Sequence, residues 1–225
     1  MLPVVYVSLP FISVIVPTID GREEHLERCL RAYAEHSEGS YKLDLVLAVN
    51  EPTCGWGWQK GCEKAKGDYL HFTDDDIEPH AGWAEPAIEC VQRGFIPAPQ
   101  VFGPQGDPQS HPHWGFHLTD WEPVFMTSLP FVSREQFAAI APLFTAHYST
   151  DNWFSWRAHR AGWPTRVRTG YAFTHWWAEH GRGAGLEEYH RLTYDGVLFA
   201  EAQRKVIQGE WTEPWPPPDI ARPAL

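Results

Sequence analysis

Three consecutive carboxylates, Asp74, Asp75 and Asp76, close the apolar run DYLHFTDDDI at residues 68–77. Like charges this close repel, which is tolerable where a cation sits among them or water screens them. In an extended chain residues two apart project to the same side, so Asp74 and Asp76 share a face that suits one divalent ion while Asp75 faces elsewhere. Mg²⁺ and Mn²⁺ favour such oxygen donors and share their shell readily with substrate phosphates. A solvated acidic turn is the competing meaning of the same three residues.

Chemistry of that kind needs a scaffold that delivers the carboxylates to a defined place. FISVIVP, residues 11–17, is a continuous apolar run ending at Pro17, the pattern of a buried parallel strand. Asp20-Gly21 follows, and Leu26, Cys29, Leu30, Tyr33 and Ala34 recur at the spacing of an amphipathic helix with Asp20 near its cap. Residues 43–50, LDLVLAVN, read as a second buried strand, residues 54–67 as a helix with Gly67 as its stop, and residues 68–73 as a third strand. The order β-α-β-α-β predicts an α/β fold with a parallel sheet covered on both faces. Ligands in such folds gather at the carboxyl ends of the strands, where Asp74–Asp76 fall.

Farther along, residues 81–94 read as a short helix despite Pro86, and residues 95–123, rich in Pro, Gly, His and Trp, as a long loop of functional interest. Ser133 and Gln136 fit a capping box that starts a helix ended by Pro142. Residues 151–161 read as a helix stopped by Gly162, 165–175 as a strand and 186–208 as a helix, while the Pro-rich tail is expected to be extended and mobile.

Length and composition bound the possibilities. A chain of 225 residues with 43% hydrophobic content accommodates one sizeable domain. A net charge of −11 opposes a generally basic surface for nucleic acid or anionic membrane, although Arg157, Arg160, Arg166 and Arg168 form a local basic stretch. Cys29, Cys54, Cys62 and Cys90 show no C-x-x-C pairing and read as free thiols of a reducing compartment. The apolar N-terminal stretch lacks a basic flank, and Pro3, Pro10 and Pro17 interrupt it short of a membrane span, so no transmembrane segment and a cytoplasmic location are expected.

SVIVPTIDGREEHLERCL, LDLVLAVNEP and GCEKAKGDYLHFTDDDIEPHAGW, in that order, resemble the N-terminal half of the family 2 glycosyltransferases. The resemblance implies a GT-A fold, Rossmann-like, with a mixed, mainly parallel sheet flanked by helices in a single domain over residues 1–210. Residues 1–94 would form its nucleotide-sugar-binding half, 95–210 its acceptor-side half and 211–225 a Pro-rich tail. It implies that Pro17, Thr18 and Asp20 line a nucleotide pocket, that Asp74 and Asp76 hold Mn²⁺ or Mg²⁺ at the donor diphosphate, Asp74 also serving the donor, and that Asp75 lies on the donor side. Where the family usually has an acidic residue after the second strand this chain has Asn50-Glu51, which become the candidates for base and ribose. YSTDNWFSWRAHRAGW resembles the family's acidic helix start and aligns Asp151 with the catalytic base, and GYAFTHWW aligns His175 with a third metal ligand. Arg182 in HGRGAG is expected at a phosphate, and Trp153 and Trp176, neighbours of Asp151 and His175, at the acceptor. Plainer roles stand beside these: a helix cap for Asp20, a helix-dipole partner for Asp151, a structural histidine and core tryptophans.

The activity so implied is transfer of a hexose from a nucleoside-diphosphate sugar, UDP-sugar foremost, to a hydroxyl acceptor with inversion. The basic stretch leaves an anionic acceptor open, including hydroxymethylated bases of DNA as in some phage-encoded transferases. Two other classes compete. A metal-dependent phosphohydrolase would need more acidic ligands than the two or three visible here, and a non-catalytic carbohydrate-binding protein would not need the Asp-x-Asp.

Overall fold

A computed structural model describes residues 8–37, 40–108, 119–146, 149–176 and 185–217. Strand β1 (Phe11–Thr18) lies between β2 (Lys42–Val49) and β3 (Tyr69–Phe72) and is parallel to both, with helices α1 (Glu23–Glu35) and α2 (Cys54–Lys64) as the crossovers. Strand β7 (Phe131–Ser133) pairs antiparallel with β3 and completes a sheet of order β2-β1-β3-β7. Parallel strands joined by helical crossovers all end on one side, so Thr18, Asn50 and Asp74 emerge along one edge.

The chain turns at Asp75–Asp76 and starts a second sheet. Its centre is the long strand β8 (Thr165–His175), with β4 (Ile77–Pro79) antiparallel on one side and β5 (Ile96–Phe102) parallel on the other. Strand β6 (Pro123–Val124) pairs antiparallel with the beginning of β8. Helices α3 (Ala84–Gln92), α4 (Arg134–Ile140), α5 (Thr150–Arg160) and α6 (Gly185–Ile207) complete the described elements. The acidic turn is therefore the joint between the two sheets.

Both faces of β1 are buried, as its unbroken apolar run requires. Ile12, Val14 and Val16 pack with Cys29 and Tyr33 of α1 and Trp83, Ala87 and Ile88 beside and within α3. Ile15 of the opposite face packs with Trp58 and Cys62 of α2, Leu70 and Phe72 of β3, and Phe154 and Ala158 of α5. Helix α2 approaches the sheet unusually closely: a Cβ at Gly61 would stand 2.2 Å from Ile15 Cγ2, and one at Gly57 2.5 Å from Pro17 Cβ. Glycines weaken a helix in isolation, and here their missing side chains let Trp58 drop against Phe72 and donate from Nε1 to Thr73 O at 3.0 Å.

Local readings diverge from this architecture in four places. Asp20 is not the cap of α1: Arg22 holds that position, and its side chain makes no capping bond. Gly67 does not stop α2, which ends at Lys64; it passes so close to β1 that a Cβ would lie 2.4 Å from Ser13 N. The stretch 95–123 contains β5, whose Pro97 and Pro99 are tolerated because β8 pairs with only one side of this edge strand. Residues 211–217 of the tail are tied down: Trp215 bridges Phe144, and Pro216 O accepts from Thr145 Oγ1 at 2.6 Å and Trp56 Nε1 at 3.1 Å. By contrast Pro86 sits in the first turn of α3, where no amide donor is needed, and the Ser133–Gln136 capping box forms in full. None of the described helices is long and apolar enough to cross a membrane, and all four cysteines are free.

Candidate active site

The first strand ends are joined by polar bonds. Asn50 adopts a left-handed conformation (φ 57°), which asparagine tolerates, its N–H donates to Thr18 O at 2.9 Å, and its Oδ1 accepts from Asp20 N at 3.0 Å. Asn50 thus fixes the spacing of the β1 and β2 ends with its own side chain. Asp20 is exposed and Glu51 half-buried beside it, and exposed Ile19 and Val49 add an apolar margin. Pro17, half-buried, serves as the seat of Gly57.

At the third strand end the carboxylates are held in three different ways. Asp74 accepts from Cys54 Sγ at 3.1 Å through Oδ1, while its backbone carbonyl receives Cys29 Sγ at 3.6 Å. Burial, then the charge of Asp76, with smaller contributions from Asp75 and Asp151, pushes its carboxyl up to about 7. Asp75 is buried and points inward, accepting from Thr18 Oγ1 at 2.6 Å and from Arg22 Nε at 2.9 Å to each oxygen. Asp76 Oδ2 takes Arg22 Nη2 at 3.1 Å, and its Oδ1 stands 3.6 Å from His175 Nε2.

Asp75, expected on the donor side, has its oxygens engaged by Thr18 and Arg22. The proximity of Asp74 and Asp76 comes from the turn, closed by Ile77 N to Asp74 O at 3.4 Å, and not from strand alternation. His175 reaches this place because β4 pairs with β8 in the register Ile77↔His175 and Trp176 N donates to Asp76 O at 3.0 Å. Sequence reasoning missed Arg22. Its signal was available: a lone cation two residues past Asp20, directly before the acidic first turn of α1.

Asp151 opens α5 in the first turn, after Ser149 in a left-handed conformation (φ 67°). Its Oδ1 accepts from Asn152 N at 2.7 Å, and its charge helps raise both Asp74 and Cys54, which places it within electrostatic reach of the turn. Trp153, expected at the acceptor, is fully buried among Phe144, Trp156, Phe199 and Trp211, 4.5 Å from the last between ring centroids. Two residues along a helix is about 200° of rotation, so Trp153 faces the core when Asp151 faces outward. Trp176 is half-buried and carries the guanidinium of Arg28 at 3.9 Å from its ring centroid. Arg182 lies outside the described residues.

Each arginine of the basic stretch has a local contact. Arg157 donates to Ala139 O at 2.8 Å, Arg160 lies over Trp156, Arg166 over Phe95, and buried Arg168 pairs with Glu89 at 2.9 Å and Asp120 at 3.3 Å.

Whether the residues suit a divalent ion turns on their chemistry. Among the described residues no three His, Cys, Asp or Glu side chains are already gathered around one point. The groups along the turn are of a kind that suits a hard cation: Asp76 and His175 face each other at 3.6 Å, and Asp74, raised first by burial and then by the charge of Asp76, is a further oxygen donor on the same turn.

The sequence model described as glycosyl transferase family 2 matches residues 15–138, more than half of the chain. No curated protein matches it. Among solved structures, GalNAc-T7 with UDP, GalNAc and Mn²⁺ is similar with a TM-score of 0.60 at 14% identity, over 75% of this chain and 43% of that one. TarS of S. aureus is similar with a TM-score of 0.58 at 13% identity, over 75% of this chain and 37% of that one; for its 1–349 piece the share is 60%. The chain thus spans less than two thirds of each, and at these identities the likeness is one of fold, the GT-A arrangement of a mixed α/β domain. With the family match covering the strand ends and the acidic turn, the chain belongs to glycosyl transferase family 2.

Proposed function

We propose that the protein is a metal-dependent transferase that moves a hexose from a nucleoside-diphosphate sugar, a UDP-sugar foremost, to a hydroxyl group with inversion. The observation that supports this reading is Asp76 facing His175 at 3.6 Å, with Asp74 on the same turn at the carboxyl ends of parallel strands. Asp74, Asp76 and His175 would hold Mn²⁺ or Mg²⁺, which when bound supplies positive charge to offset the leaving diphosphate. Thr18, Asp20, Asn50 and Glu51 border the place for the base and ribose, where Asn50 orients the rim and the exposed Ile19 and Val49 offer an apolar surface to a base. Asp151 takes the proton from the acceptor hydroxyl as that oxygen attacks the anomeric carbon, and the bond to the diphosphate breaks with its electron pair. A single carboxylate in that role favours one displacement, hence inversion.

Thermal unfolding in the presence of UDP-, GDP- and dTDP-sugars, each with and without Mn²⁺, tests the reading. One sugar nucleotide at a hundredfold excess over its Kd should stabilise the chain by about 2.7 kcal/mol, and only with the metal present. No stabilisation by any of them, with or without metal, would reject it.

A further inference from the structure

The acidic turn already has a cation in it. Arg22, at the cap of α1, reaches across to β3–β4 and sets one nitrogen, Nη2, between two carboxylates: 2.5 Å from Asp75 Oδ1 and 3.1 Å from Asp76 Oδ2. Its Nε completes the grip on Asp75. The three side chains are unequally exposed, 25% for Arg22 against 5% and 11% for Asp75 and Asp76, so the contact is partly shielded from water. Both carboxylates favour the charged guanidinium, Asp75 most of all.

The two contacts have different standing. Asp75 is held from the other side by Thr18 and is buried, so its bond to Arg22 anchors α1 to the turn. Asp76 faces His175 with its other oxygen, on the side where a divalent ion would sit. We propose that Arg22 is a positioning residue that serves as an internal counter-cation, neutralising Asp76 in the metal-free protein and competing with the divalent ion for it, so that metal alone binds weakly. This rests on the reading of Asp74, Asp76 and His175 as the metal-holding groups. Arg22 stays anchored on Asp75 while the contact with Asp76 exchanges, so the turn keeps its shape in both states and charge balance is preserved.

The experiment is a titration with MnCl₂ alone, followed by isothermal calorimetry and by the loss of the free-ion paramagnetic resonance signal. Arg22→Gln removes the competing charge and should bind Mn²⁺ about tenfold more tightly than the natural chain. Arg22→Lys keeps the charge and should bind as the natural chain does. Equal or weaker binding by a folded Arg22→Gln chain, as judged by circular dichroism, overturns the inference while leaving the metal site standing. Absence of Mn²⁺ binding by all chains, with and without UDP, overturns both. Because Arg22→Gln leaves buried Asp75 short of a partner and could fail to fold, the natural chain offers a second measurement. The Arg22 Nε–H resonance should shift during titration with MgCl₂, with the same midpoint as metal binding. A resonance that stays in place at saturation rejects the exchange at Asp76.

Discussion

The thiol of Cys54 donates to Asp74 Oδ1 across 3.1 Å, a side chain of the first turn of α2 fixing the orientation of a carboxylate at the end of β3. The thiol itself is pushed well up, first by burial and then by the charge of Asp74, so it remains a neutral donor. Groups that orient metal-holding carboxylates typically cost about ten- to a hundredfold in metal affinity when lost. Cys54→Ala should therefore weaken Mn²⁺ binding by about tenfold, whereas Cys54→Ser, which keeps a donor in place, should hold it near the natural value. Calorimetric titration of the two variants distinguishes orientation from simple packing, for which serine and alanine would behave alike.

For Asp151 the expected outcome is a separation of turnover from binding. Asp151→Asn retains the shape and the helix start while removing the proton acceptor, so kcat should fall by about a hundred- to ten-thousandfold. Donor affinity, measured by equilibrium binding of the sugar nucleotide with Mn²⁺, should be unchanged. Unaltered turnover would take the base role away from this residue.

His71 gives the chain an acid sensitivity. It is fully buried between two tyrosines: Tyr171 donates its hydroxyl to Leu129 O at 2.5 Å and so accepts from Nδ1–H at 3.1 Å, leaving Nε2 to accept from Tyr33 at 2.7 Å. Burial lowers its pKa from 6.5 to about 3, and the unfolded chain therefore binds more protons between those values. Its stabilising contribution is fully present above pH 6.5 and is lost as pH falls toward 3. Denaturant titrations from pH 6 to pH 4 should show a loss of up to about 1.4 kcal/mol per pH unit from this group, absent in His71→Gln. An identical slope in the variant would assign the acid sensitivity elsewhere.

The glycines of two helices should respond oppositely to alanine. A methyl at Gly61 meets buried Ile15 Cγ2 at 2.2 Å, so Gly61→Ala should destabilise the protein by about 1–3 kcal/mol through overpacking. Gly196 in α6 has nothing within 4 Å, and Gly196→Ala should stabilise by about 0.5–1 kcal/mol from helix propensity alone. Chemical denaturation of the pair tests whether α2 is seated by close contact, as its position against β1 implies.

How much of this was legible in the linear order of residues depends on the range of the interactions involved. The apolar runs at 11–17 and 43–50 and the helical spacing between them announce β1, α1 and β2 through local periodicity, and the Ser133–Gln136 box forms as read. The acidic turn was placed correctly at the end of β3 because strand ends are themselves a local signal. The partners of its three carboxylates were not legible, since each is set by a long-range packing event. Cys54 arrives with α2 on its glycine face, Arg22 with the cap of α1, and His175 with the antiparallel register of β4 on β8. The same applies to two other placements: Trp153 lies in the core because of helix rotation, and residues 211–217 are pinned by Phe144, Thr145 and Trp56, distant in sequence. Sequence by itself determined which groups stand at the strand ends; the tertiary structure decided which of them meet, because like charges tolerate one another only where the fold supplies their counter-charges.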